Sequence, residues 1–476
     1  MAGPVPDLDA RANACANTIA DADSMVLASH IDADGLTSAA IATTALERAG
    51  LSFEVVFKEQ LDATEIASIA KREYDTVLFT DFGSGQLDVI AEHEAAGDFT
   101  PVIADHHQPA DADTEYHLNP LLEGIDGASE LSGAGASYVL ARALAEVVDA
   151  DVPQANRDLA GLAVVGAVGD MQAVDGELVG ANEAIVSEGV EAGVLHEGTD
   201  LTLYGKQTRP LPKLLEYASE IRIPGVSNDE SGAVRFLDEL GLDLHDEAGE
   251  WRTWVSLSDD EKRTVASALV QRAVERGVPA SKIDRLVGTT YTLLAEPEGT
   301  ELRDASEFST LLNATARYER ADVGLAVCLG DREDGLRRAR TLLQNHRRNL
   351  SEGLQWVKNN GVTREEHLQW FDSGTEIRDT IVGIVAGMAV GVEGVDRDRP
   401  IVALARKNDE ETKVSARGTG PLVGRGLDLS VVMREASQAV GGDGGGHNVA
   451  AGATVPAGRE RDFVEHADAL VGDQIG

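Results

Sequence analysis

The sequence predicts an α/β protein: a doubly wound parallel-sheet domain, a mostly helical insertion, a linking helix and a smaller α/β domain at the C-terminal end. Three observations carry this. Short apolar runs and helical-period segments alternate from Met25 to Asp170, the pattern of parallel strands joined by crossover helices. The alternation stops near residue 201, where Pro210, Pro212 and Pro224 interrupt the chain and helical periods take over. At 476 residues the chain is too long for one hydrophobic core, so two or three domains are expected. The expected division is 1–200, 201–305, 306–374 and 375–476.

Within 1–200, the spacing of Leu8, Ala12, Cys15, Ala16 and Ile19 predicts a helix. The apolar run 25–28 predicts a first strand. It leads into the acidic loop Ser29-His30-Ile31-Asp32-Ala33-Asp34-Gly35 and a helix over 36–48. A strand is expected over 53–57 and a short helix over 65–71. The run 76–80 reads as a strand closed by Asp81. A helix over 87–96 precedes a strand at 101–104, followed at once by Asp105-His106-His107. Helices are expected over 137–148 and 157–168, the second ending in Gly169-Asp170.

In the insertion, helices are expected over 230–240 and 258–276. Trp251 and Trp254 between them are either docking anchors or core residues. Further on, a helix is expected over 307–317 and a long one over 334–359. The last segment reads as strands at 400–406 and 412–416, with a glycine-rich stretch, 441–446, before His447. The apolar run 381–392 is too short to span a membrane, is broken by Gly383, Gly387 and Gly391, and reads as a buried helix.

Composition narrows the class. Acidic residues number 82 against 41 basic ones, for a net charge of -41. The apolar periodicity argues against acidic disorder. Charge spread over a folded surface suits molar salt, where the Debye length shrinks to ~3 Å and self-repulsion is tolerable. The chain therefore reads as a halophile's cytoplasmic protein. The charge argues against loose nucleic-acid binding but not against a local basic groove. The N-terminus has neither a basic region nor an apolar core of a secretory signal. Cys15 and Cys328 make no disulfide framework and no metal spacing.

The chemistry lies at the polar ends of the apolar segments. Asp32 and Asp34 with His30, then Asp81, then Asp105, His106 and His107, then Asp170 each follow a strand or a buried helix. In a doubly wound sheet those ends converge on one edge. Singly, each has a plain alternative: a helix cap for Asp81, a turn cap for Asp170, loop histidines for His106 and His107. Together they form a cluster whose desolvation would be very costly without a cation. An oxygen-rich set with imidazoles and no thiolate suits Mn²⁺ or Mg²⁺, and two such ions can clamp a phosphoryl group.

The order His-x-Asp-x-Asp-Gly, Asp81, the literal Asp-His-His and Gly-Asp170 resembles the DHH phosphoesterase superfamily. Ser415-x-Arg417 and Gly444-Gly445-Gly446-His447 resemble its DHH-associated C-terminal domain. The resemblance covers roughly 20–195 and 375–460. It implies two Mn²⁺ or Mg²⁺ ions, with Asp32 and Asp81 on one and Asp34, Asp81, His106 and Asp170 on the other. Asp105 would orient a histidine, and His107 would contact the scissile phosphate or act as an acid. His30 lies two residues before Asp32 rather than the family's four, so it either ligates or supports the loop. Ser415, Arg417, Gly444, Gly445, Gly446 and His447 would grip substrate phosphates.

The segment 335–350 holds Arg337, Arg338, Arg340, Arg347 and Arg348 and no acidic residue. Arg337, Arg340 and Arg347 can share a face that tracks a single strand; the alternative is a solvated helix whose arginines pair with acidic neighbours. With the insertion, this makes the chain look like the archaeal RecJ-like single-strand exonucleases. That resemblance implies single-stranded DNA or RNA as substrate and the GINS complex of the replicative helicase as a partner. Rival readings are a phosphatase for short oligonucleotides or cyclic dinucleotides and a non-catalytic replisome scaffold.

Overall fold

The computed structural model describes residues 3–72, 74–148, 151–218 and 221–476. It divides into two compact units, Met1–Arg340 and Thr341–Gly476, and the division falls within one long helix.

In the first unit α1 (Asp9–Ala20) leads into β1 (Met25–His30), α2 (Ala33–Arg48), β2 (Phe53–Lys58), α3 (Ala63–Ala70), β3 (Thr76–Thr80), α4 (Leu87–Ala96), β4 (Thr100–Ala104) and the short β5 (His117–Leu118). The sheet order is β2-β1-β3-β4-β5 and every pairing is parallel. Strand order reverses between β1 and β3, so the switch point of the doubly wound sheet lies there. The central strands β1, β3 and β4 are buried almost along their whole length because helices cover both faces. α5 (Gly133–Val147), α6 (Ala160–Gly169) and α7 (Ala181–Glu191) follow, and α5 and α6 pack on α2.

Several helix starts differ from the sequence expectation, and side-chain caps explain two of them. α2 begins at Ala33, not 36, because the Asp32 carboxylate accepts the Gly35 N–H at 3.0 Å. α5 begins at Gly133, not 137, because Ser132 caps Gly135 in the same way at 3.1 Å. α6 begins at Ala160, after a 3-10 segment in which Gln154, Ala155 and Asn156 take positive φ.

The insertion is bracketed by an antiparallel pair the sequence reading did not foresee, β6 (Leu195–Leu201) and β7 (Val287–Leu293). The run LHEGTDL has only its end residues buried, so it lacks the alternation that marks a strand. Between them lie α8 (Leu211–Glu216), α9 (Glu230–Asp238), α10 (Asp259–Glu275) and α11 (Ala280–Ile283), around a core of their own. Trp254 is 1% exposed in that core, with its indole N–H donating to Asp200 Oδ1 at 2.8 Å. Trp251 packs on the core and lies 4.1 Å from the His245 ring centroid. The tryptophans are therefore core residues, not free docking anchors. α12 (Ala305–Ala316), α13 (Ala321–Cys328) and the start of α14 (Asp334–Asn360) complete the unit.

The second unit holds β8 (Thr363–Arg364), β9 (Gln369–Asp372), α15 (Asp379–Ala389), β10 (Ile401–Arg406), β11 (Glu411–Arg417), α16 (Gly420–Gly424), α17 (Leu429–Ala439), β12 (Asp443–Gly446), β13 (Ala450–Pro456) and α18 (Glu460–Ile475). Its mixed sheet runs β12-β13-β11-β10-β9-β8, with only β9 and β10 parallel. α17 and α18 cover one face; α15 and the last turns of α14 cover the other. Among the described residues no helix is long and apolar enough to cross a membrane.

Candidate metal centre

The strand ends converge at the switch point. His30 closes β1, Asp32 caps α2, and Asp34 lies in its first turn. Gly35 is required there, since a Cβ would meet the His30 Cβ at 2.8 Å and the His30 carbonyl closer still. The Asp34 carboxylate accepts the Gly133 and Ala134 N–H groups at 2.7 and 3.0 Å. These are free donors at the positive end of α5. Asp81 follows β3 with φ 60, a left-handed backbone that turns its side chain onto the sheet edge. Gly133 leaves room for it, because a Cβ there would lie 2.7 Å from Asp81 Cβ.

Asp105 ends β4 fully buried. Its Oδ1 accepts the His106 N–H at 2.7 Å and lies 2.8 Å from His107 Nδ1, while its Oδ2 accepts the Ser84 N–H at 2.9 Å. His106 Nδ1 lies 2.6 Å from the Gly127 carbonyl, which can only accept, so Nδ1 carries a proton and Nε2 faces the cluster. Nε2 is 3.4 Å from Asp81 Oδ1 and 3.8 Å from both Asp34 Oδ2 and Asp170 Oδ2. On the other side, His30 Nδ1 is 3.2 Å from Asp32 Oδ1 and 3.5 Å from Asp81 Oδ2.

Asp81 thus turns one oxygen to each of two ligand groups. His30, Asp32 and Asp81 form one; Asp34, His106 and Asp170 form the other. Within each, the donor atoms lie within 4.8 Å of one another. A third grouping joins Asp81, Asp105, His106 and His107.

The electrostatics of the cluster suit a divalent cation. Burial, then the Asp81 charge, pushes the Asp34 carboxyl well above the usual range. Burial chiefly, with the Asp81 charge, raises Asp170 although His106 opposes it. For Asp81 burial acts upward, but the nearby His106 and His30 imidazoles outweigh it and hold the group low. The histidines mirror this. Burial lowers His30 and His106, yet their carboxylate partners lift each to about 11. The hydrogen bond that His107 donates to Asp105 raises His107, and Asp105 itself is held at about 2 because that bond and the His107 charge overcome burial. Asp81 Oδ1 is buried without a hydrogen-bond partner. A buried carboxylate oxygen that no donor satisfies, beside an imidazole facing three carboxylates, fits a hard divalent cation.

Four supporting residues carry no sequence motif. Gln172 donates to Asp170 Oδ2 and to the Gly127 carbonyl, both at 2.9 Å, and Asn182 holds Gln172 at 2.7 Å. Asn119 donates to Ser84 Oγ and to the His107 carbonyl, both at 2.9 Å. Only their distance from the cluster in three dimensions marks them.

The six predicted substrate residues outside α14 belong to the second unit. Ser415 and Arg417 share one face of β11 beneath Gly383, where a Cβ would sit 2.7 Å from Arg417 Nη2 and 2.9 Å from Ser415 Oγ. Gly444, Gly445 and Gly446 lie in β12, at the sheet edge, paired with β13. The two strands form an antiparallel hairpin, and a Cβ at Gly445 would meet nothing within 4 Å. His447 is exposed at the turn.

Three arginines of α14 pair with nearby carboxylates. Arg337 pairs with Asp334, and Arg338 with Asp322 at 2.9 Å. Arg340 grips Glu301 with two bonds of 2.6 and 2.8 Å, and Glu301 is 6% exposed. Arg337 and Arg340 are therefore each in reach of a carboxylate, with their guanidinium groups still partly exposed. Arg347 and Arg348 are exposed. A cavity of about 840 Å³ lies between α10 and the β6–β7 pair, lined by Trp254, Lys262 and Arg303 among others; none of the clustered carboxylates lines it.

Three family models match the chain: the DHH family N-terminal domain over residues 24–167, the DHH-CID domain over 203–287 and the DHHA1 domain over 370–473. An uncharacterized protein of Methanocaldococcus jannaschii is 30% identical over 454 residues, 94% of this chain and 93% of that protein. RecJ of Thermus thermophilus in complex with Mn²⁺ is similar with a TM-score of 0.61 at 17% identity. The likeness covers 99% of this chain and 56% of RecJ, so this chain spans about half of that relative's length. An exonuclease RecJ bound to manganese gives 0.60 at 16% identity over 99% of this chain and 96% of its own. CDC45 of Entamoeba histolytica gives 0.63 at 11% identity, over 94% and 95%. At these identities the structural likeness is one of fold.

Proposed function

The chain belongs to the DHH family, and from that premise we propose that it is a metal-dependent phosphodiesterase that removes nucleotides from an end of single-stranded DNA or RNA. The observation that carries the proposal is Asp81, whose two oxygens face two separate ligand groups while one of them has no hydrogen-bond partner. His30, Asp32 and Asp81 would hold one Mn²⁺ or Mg²⁺ ion; Asp34, Asp81, His106 and Asp170 would hold the second. When bound, such ions supply concentrated positive charge to phosphoryl oxygens as negative charge develops.

The rest falls to the chain's own groups. Asp105 fixes His107 through Nδ1 and leaves Nε2 free. The same contact raises the His107 pKa, which favours the protonated ring as a donor to the departing oxygen. In the C-terminal domain, the Arg417 guanidinium suits a phosphate, and the open backbone around Gly445 admits another, with His447 alongside.

The test is hydrolysis of end-labelled single strands in high KCl, with Mn²⁺ added or chelated. Metal-dependent shortening of long strands from one end, lost in Asp81→Ala, is expected. Silence on every strand with Mn²⁺ bound would refute it and leave the scaffold reading. A second reading, hydrolysis of very short oligonucleotides, is favoured by the pairing of Arg337, Arg338 and Arg340 with carboxylates, which leaves less basic surface for a long strand. Activity confined to strands of two to five nucleotides would establish it. The proposal extends to a halophilic archaeal source and to the GINS complex as partner, supported by charge and by sequence resemblance; co-purification tests the partner.

A further inference from the structure

The loop that follows Asp170 carries apolar side chains that nothing in the fold uses. α6 closes with the Met171 N–H donating to Val168 O at 3.2 Å and the Gln172 N–H to Ala167 O at 3.1 Å. That closure needs a left-handed residue, and Met171 supplies it with φ 60. Glycine is the usual occupant, because a side chain is strained in this backbone. The strain brings no packing in return: Met171 is 86% exposed. Its neighbours on either side, Asp170 and Gln172, both point into the carboxylate cluster.

The loop is also tied down. Val174 and Glu177 exchange backbone hydrogen bonds of 2.8 and 3.0 Å around Asp175 and Gly176, both at positive φ. The Leu178 N–H donates to Tyr291 Oη at 2.8 Å, and Thr289 Oγ1 donates to Glu177 at 2.9 Å. Val174 is 45% exposed in the same loop. Two apolar side chains are thus held in water, three residues apart, on an anchored loop beside a polar site.

We propose that Met171 and Val174 form an apolar platform against which the base of the bound nucleotide packs. The inference rests on the reading of the chain as acting on single-stranded nucleic acid. The ligand such a platform completes is one in which a flat apolar face is joined to a phosphate, which describes a nucleobase. A polarizable thioether accepts any base, so the platform gives affinity without sequence preference.

The test compares the parent with Met171→Gly, Met171→Asn and Met171→Leu in the full chain, in high KCl with Ca²⁺ in place of Mn²⁺. Binding of a labelled single strand and of its abasic counterpart is read by fluorescence anisotropy, and Tm by thermal melts. Gly and Asn both tolerate the left-handed backbone, so both variants should melt higher than the parent. Both should bind the base-bearing strand about three- to ten-fold more weakly, with the abasic strand unchanged. Met171→Leu should bind both strands as the parent does. A raised Tm with unchanged binding would overturn the platform and leave the patch to a protein partner. Equal weakening on both strands, or no rise in Tm, would also overturn it. A parent that binds neither strand would instead overturn the nucleic-acid reading, and the inference with it.

Discussion

Gly166→Ala should destabilise the protein and weaken its metal site, although alanine is the better helix former. Gly166 lies inside α6, where the exchange by itself would gain about 0.5–1 kcal/mol. Its added Cβ, however, would sit 2.5 Å from Thr37 Oγ1 and closer still to Ala134 Cβ and Asp34 Oδ1. Ordinary contact between such atoms begins near 3.5 Å, so three neighbours on α2 and α5 are each about 1 Å too close. Ala134 has no rotamer to escape into, and Asp34 is pinned by two backbone N–H groups. Overpacking of this kind costs about 1–3 kcal/mol or more, so it outweighs the helix gain and leaves a net loss of roughly 1–2 kcal/mol. Because Asp34 must give way, divalent affinity should fall on the order of 10–100-fold. Gly161→Ala in the same helix is the control: its Cβ would meet nothing closer than 3.6 Å, so it should be neutral or mildly stabilising. Denaturant unfolding in chelator gives the stability, and thermal melts over a Mn²⁺ series give the affinity. If Gly166→Ala matched Gly161→Ala in both measurements, the tight packing of α2, α5 and α6 around Asp34 would be wrong.

Three further outcomes are expected. Mn²⁺ at a hundred times its Kd should stabilise the parent by about 2.7 kcal/mol, and Asp81→Asn should lose most of that; an unchanged Mn²⁺ shift in the variant would remove Asp81 from the site. Glu307 is buried at the foot of α12, and burial lifts its carboxyl from 4.5 to about 7 even though Gln207 N–H and Thr208 donate to it. Between those values the folded chain binds more protons than the unfolded one, so this group's contribution falls as pH rises, by on the order of 3 kcal/mol in all. Glu307→Gln should flatten that slope in denaturant titrations at fixed KCl; a parent whose stability does not decline over this range relative to the variant would contradict it. Arg340→Ala should cost about 1–2 kcal/mol, discounted because its guanidinium is half exposed, by stranding buried Glu301. Strand affinity should hold in that variant, while Arg347→Ala should lower the salt slope of strand binding by about one with little change in stability. Equal salt slopes for the two variants would undo the distinction.

The α/β class was legible because the central strands β1, β3 and β4 are buried, mostly apolar runs and the helices between them keep their period, so local pattern and global fold agree. The Asp-x-Asp, Asp-His-His and Gly-Asp motifs were legible because they sit at fixed offsets from those runs. The β6–β7 pair was not, since its residues are polar and its stability comes from pairing between positions 92 apart in the chain, as Gly198 with Thr290. The arginines of α14 illustrate the same limit. Their spacing gives a basic face, but Glu301 and Asp322, distant in sequence, decide that Arg340 and Arg338 serve as anchors.

By itself, then, the sequence determined the element types, the order of the chemistry-bearing residues and the oxygen-and-imidazole character of the site. These follow from period, turn chemistry and side-chain type, all local properties. Only the tertiary structure decided that Asp81 faces both ligand groups, that the free N–H groups of α5 hold Asp34, and that Gln172 and Asn182 stand behind Asp170. The physical reason is that a carboxylate's orientation and charge depend on which donors and charges fold around it, and those come from segments a hundred residues away in the chain.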